Sequence, residues 1–328
     1  MARGSSVTEK GLFSFTRHNA LDNAAIVPPV VNMVTEVFGQ QIGRPRVNHF
    51  TVWSKEQDPE EWERQSPGVF AFFRHNGGTS VPKIFFSPYY TELLAKMATG
   101  KSTPEENFAA IHILVHELLH SLSGINRPDW RDNDDLREKV CTPGEREYQL
   151  EEGLVEALAR LNTIRIAETC GYQITPAYLT TSGSIHKPIY SKLGPYPLQS
   201  RMMTSLGLLM MGHLDTAALK DGKYDQIYDL KGEAGDDARA ALTNWLMMAP
   251  GSQRRQAIGG QLGMITKCGP AEMKTLMDKL QATVTDPDYN WTIKVKERRL
   301  SKKREYLKPV KSYDAYLAET LDPLTYTD

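Results

Sequence analysis

The chain has 328 residues, a hydrophobic fraction of 40%, a charged fraction of 24% and a formal net charge of -1. These values suit a soluble globular protein with one large domain or two modest ones. The neutral balance argues against a molecule built as a whole to seek nucleic acid or a membrane surface.

Three cysteines, Cys141, Cys170 and Cys268, are scattered without a CxxC pair. They form neither a disulfide framework nor a zinc-ribbon pattern, and a reducing compartment is expected. The N-terminal MARGSSVTEKGLFSF lacks the apolar core of a secretory signal, and the longest apolar run, LGLLMMG at 206–212, is too short to span a bilayer. The expected location is cytoplasmic or virion-associated, without membrane contact.

Pro28 and Pro29 lead into VVNMVTEVFGQQIG, where Val30, Val31, Val34, Val37 and Phe38 form a helical stripe closed by Gly43. Three strand-like runs follow: 46–53, 68–73 and KIFFS at 83–87, the last two joined by the hairpin-like RHNGGTSVP. Thr103, Pro104 and Glu106 then supply a helix cap, a first-turn proline and the glutamate of a capping box, and Thr142, Pro143 and Glu145 repeat that grammar. Helices are predicted over about 104–123 and 143–169. Residues 171–200 read as loop, and helical signals return at 201–219, 235–248 and 270–284. Lys294 to Lys311 holds nine Lys or Arg against two Glu, a basic tail that could meet nucleic acid or an acidic partner. The expected organisation is a domain over 1–200, a helical region over 201–285 and the tail over 286–328.

The chemistry gathers in HILVHELLHSLSG, 112–124. Ile111, Val115, Leu118 and Leu122 make an apolar stripe, while His116 and His120 stand four apart on one face and can meet a single ion. Glu117 lies at the edge of that face. This is H-E-x-x-H: two zinc ligands and a carboxylate able to take a proton from water that zinc has acidified to a pKa of about 7. His112, one turn earlier, reads as a supporting or core residue. A third ligand is expected from YQLEEGLVEALAR, 148–160. There Leu150, Leu154, Leu158 and Leu161 form the apolar stripe, and Glu152 and Glu156 share another face. Glu152 is expected on the ion, and Glu156 to accept the N–H of His116 or His120. Glu151, Glu156 and Asp129 are the rival ligands.

HELLH followed by EEGLVE resembles the gluzincin metallopeptidases, over about residues 27–170. The resemblance implies an α+β fold: a small mixed sheet packed on the HExxH helix and on a glutamate-bearing helix, followed by a mostly helical C-terminal region. It implies a protein or peptide substrate held against an edge strand, here KIFFS, and peptide hydrolysis by a zinc-dependent, glutamate-assisted attack of water. It also implies a downstream His or Tyr to steady the oxyanion, for which SGSIHKPIY offers His186 and Tyr190. The gap from His120 to Glu152 is longer than in the simplest members. The metzincin pattern fails, with Ser123 at its glycine and Asn126 at its third histidine. The alternative is a structural or partner-binding protein, for example in a phage or other assembly, that keeps this fold and its zinc without general protease activity.

Overall fold

The computed structural model describes residues 14–15, 28–47, 49–52, 70–74, 83–123, 146–179, 185, 196–221, 232–248, 252–266, 268–285 and 313–324. The chain divides into two compact units. The first comprises Met1–Leu122 with Arg165–Pro188, the second Ser123–Ile164 with Ile189–Asp328.

The first unit holds a mixed sheet of order β1-β2-β4-β3, formed by β1 (Ser14–Phe15), β2 (His49–Val52), β3 (Ala71–Arg74) and β4 (Lys83–Phe86). β1 and β4 run parallel to β2, while β3 runs antiparallel to β4. The expected hairpin is therefore present, but the expected edge strand is not. KIFF lies inside the sheet, and AFFR stands at its end. The reason lies in the side chains: Ile84, Phe85 and Phe86 are all buried, so both faces of β4 are covered. An unbroken apolar run marks such an interior strand, whereas an edge tolerates alternation. Phe86 stacks on Phe50 of β2, and Phe85 on Phe72 of β3.

Helices cover this sheet. α1 (Pro29–Gln41) starts with proline in its first turn and buries Val30, Val31, Val34, Val37 and Phe38, the stripe read from sequence. α2 (Pro88–Ala98), absent from the expected elements, is capped by Ser87, whose Oγ accepts the Tyr90 N–H at 3.1 Å. α3 (Pro104–Leu122) carries HELLH. Its capping box is complete: the Thr103 N–H donates to Glu106 Oε2 at 2.8 Å, and the Glu106 N–H to Thr103 Oγ1 at 3.2 Å. α3 packs against β3, α1 and α2, and the Tyr90 hydroxyl donates to the Ala110 carbonyl at 2.6 Å. The segment 172–178 is tied to the start of α3: the Thr175 N–H donates to the Pro104 carbonyl at 3.0 Å, and Asn107 Nδ2 to that of Gln173 at 2.9 Å.

α4 (Arg146–Thr169) is one continuous helix with residues in both units. The expected cap at 142–145 lies outside the described residues. The second unit continues with α5 (Pro197–Met210), α6 (Thr216–Lys220), α7 (Gly232–Met247), α8 (Ser252–Thr266), α9 (Pro270–Thr285) and a final helix α10 over 313–321. The helix expected over 201–219 is thus two, parted at Gly212, whose φ of 74° ends the first. α8 and α10 were not expected, and the basic run 294–311 lies outside the described residues. α5 packs on α7, α8 and α9, around Leu206, Leu242, Trp245, Ile258 and Leu280. Among the described residues no helix is long and apolar enough to cross a membrane.

Candidate metal centre

α3 is buried nearly all round. Leu114, Val115, Leu118 and Leu119 are buried, and so are His112, His116 and Glu117. Polar side chains in such a setting require partners. His116 and His120 supply one another: their Nε2 atoms lie 3.3 Å apart, and His120 is the more exposed of the two. Two imidazoles on a tetrahedral ion, with bonds of about 2.0–2.1 Å, would set their nitrogens about 3.3 Å apart. The observed spacing already has that value.

His116, His120 and Glu152 each offer one ligand atom, and these lie within 4.8 Å of one another. His112, His116 and Glu156 form a second such group. These buried His and Glu side chains could hold a metal ion. Two imidazole nitrogens and one carboxylate oxygen are also the donor set of an open, catalytic zinc site, so the residues fit that metal.

From 149 to 163 every residue of α4 is buried, charged ones included. Glu156 Oε1 accepts from Arg160 Nε at 2.8 Å, both side chains at 0% exposure. Glu151, a rival ligand in the sequence reading, is paired with Arg254. The carboxylates flanking Glu152 therefore each face an arginine. Glu156, Glu152's other rival, belongs instead to the group with His112 and His116.

Glu117 sits one residue beyond His116 and is 8% exposed. Its charge is felt by Tyr90, whose phenol is held well above its usual range, first by burial and then by Glu117. Tyr90 thus stays protonated and fixed as a donor to α3. His112 stacks on Phe108 and meets the edge of Tyr178, with ring centroids 5.7 and 5.0 Å away. Phe73 of β3 faces His120, centroids 6.5 Å apart, which sets the edge strand beside the exposed end of the histidine pair.

His186, Tyr190 and Asp129 lie outside the described residues. Sequence reasoning missed Arg160 and Arg254. For Arg160 a signal existed, since it stands four residues after Glu156. For Arg254 there was none. No family model, curated protein or solved structure matches this chain.

Proposed function

We propose that this chain is a zinc-dependent peptidase of gluzincin type, with zinc held by His116, His120 and Glu152. The observation that carries the reading is the convergence of both HELLH histidines with Glu152, ligand atoms within 4.8 Å. Zinc, when bound, supplies Lewis acidity toward a substrate carbonyl and lowers the pKa of water. The chain's own residues do the rest. Glu117 takes a proton from the attacking water on its carboxylate and delivers it to the leaving amine nitrogen. Glu156, held by Arg160, accepts the N–H of His116 and orients that ring. An extended peptide would add to the side of β3 that pairs with no described strand, beside His120, in place of β4. His186 and Tyr190 are the residues to test as oxyanion donors.

The test measures zinc by mass spectrometry and hydrolysis of a quenched-fluorescence peptide library, in wild type, His120→Ala and Glu117→Gln. Near-stoichiometric zinc in wild type, lost in His120→Ala, is expected. Glu117→Gln should keep the zinc and lose at least about a hundredfold in rate. Full activity in Glu117→Gln would refute the mechanism.

One observation favours a second reading, a binding or structural protein that keeps its ion. The group His112, His116 and Glu156 is closed in on every member, each no more than 8% exposed, as a structural site would be. Stoichiometric zinc with no hydrolysis of any library member, and unfolding on zinc removal, would select it.

A further inference from the structure

Arg254 of α8 has no place in the sequence motif, yet it bonds a residue adjacent to Glu152. Its side chain is 1% exposed. Nη1 donates to Glu151 Oε2, and Nη2 donates to Ser123 Oγ at 3.0 Å and to the carbonyls of Leu246 and Met248 at 2.8 and 3.2 Å. Glu151 immediately precedes Glu152. Ser123 immediately follows α3, three residues beyond His120. The two carbonyls belong to the end of α7, an acceptor cluster that suits a cation.

We infer that Arg254 is a positioning residue for the metal ligand Glu152, fixing the rotation of the glutamate helix against one buried guanidinium. A buried charge must keep its partners, so these four acceptors cannot drift apart without leaving it unpaired. A helix turns about 100° per residue. Holding Glu151 on Arg254 therefore aims Glu152 in one direction only. Arginine is required for this: its planar fork serves acceptors on three segments at once, which a lysine ammonium does not reproduce. Ligand geometry is then set in part by the region after residue 200, through bonds spanning 103 and 131 positions of sequence.

The inference rests on the proposed zinc site, and its test separates the two. Zinc affinity would be measured by competition with a chromophoric chelator, and ligand geometry by the visible absorption of the cobalt(II)-substituted full-length protein. Arg254→Lys should bind zinc at least about tenfold more weakly, the lower end for residues that hold metal ligands in place, and should shift the cobalt bands. Ser123→Ala, which removes a single acceptor and should fold even if Arg254→Lys does not, should weaken zinc about fivefold. Leu280→Ala, a core truncation on α9, controls for lost stability: it should lower the melting temperature and leave affinity and spectrum unchanged. Wild-type affinity and spectrum in both Arg254→Lys and Ser123→Ala would overturn the positioning role alone. So would an equal loss in Leu280→Ala. A wild type that binds neither metal would overturn the zinc site, and this role with it.

Discussion

Gly153 gives a prediction whose sign is decided by one contact. It sits in the buried stretch of α4, next to Glu152. Helix propensity alone says that Gly153→Ala stabilises, by about 1 kcal/mol. The packing says the opposite. A β-carbon at this position would lie 2.9 Å from the carbonyl oxygen of Gln199 and 3.1 Å from its carbonyl carbon. That neighbour is backbone in the first turn of α5 and cannot swing aside as a side chain would. The Gln199 side chain is also engaged, its Nε2 donating to Gln149 Oε1. Overpacking of this kind costs about 1–3 kcal/mol. Since rigid backbone places the cost toward the upper end, the net is a loss of about 1–2 kcal/mol. Gly260 is the matched control: it is exposed, helical and open, with nothing within 4 Å of an added β-carbon. Gly260→Ala should stabilise by about 0.5–1 kcal/mol. Urea midpoints followed by tryptophan fluorescence would compare the two. If Gly153→Ala stabilises as much as Gly260→Ala, the close approach of α4 and α5 is wrong.

Arg160→Met should destabilise by about 3–5 kcal/mol, because it leaves Glu156 buried opposite no guanidinium, and adding Glu156→Gln should recover most of that loss in the same denaturation assay. Thr103→Ala removes the side-chain half of the α3 capping box and should cost about 1 kcal/mol, read as a lower urea midpoint. Burial raises the Cys170 thiol from 9.0 to about 11. Iodoacetamide labelling of Cys170 at pH 8, mapped by mass spectrometry, should therefore run roughly a hundredfold slower in the native than in the unfolded chain. By linkage, the unfolded thiol ionises first. Stability held below pH 9 should thus decline as pH rises toward 11, and a melting temperature flat across that window would contradict the burial.

Local rules carried the sequence reading where the structure is local. The stripe of α1 and the reciprocal cap of α3 each lie within a few residues, and both are present as read. The uncharged flanks of HELLH anticipated the burial of α3. KIFF was misplaced because three consecutive apolar residues were given to an edge, although they call for cover on both faces. α8 escaped because Gly259, Gly260 and Gly263 interrupt it and the charged Arg254 shares the face of its buried Ile258 and Leu262. Its close neighbours, Met273 and Met277 against Gly259, come from another helix. α10 did carry a signal, with Tyr313, Leu317 and Leu321 buried at helical spacing, hidden behind the basic run. In the candidate site, the spacing within single helices pointed to the histidine pair and to Glu152, which fall in one candidate ligand group. Arg160 stood at a readable spacing from Glu156, but Arg254 did not, since it lies 103 residues from Glu151.

That separation bears on how the chain can be made. Residues 104–163 emerge from a ribosome with their motif complete and with buried acidic groups on α4, one of whose cations has yet to be synthesised. Such long-range pairing is slow to form and cannot be satisfied in part. A fragment ending at residue 200 would keep every residue of the motif and lack Arg254. Until residue 254 is made, Glu151 would lack the guanidinium it is paired with in the folded chain.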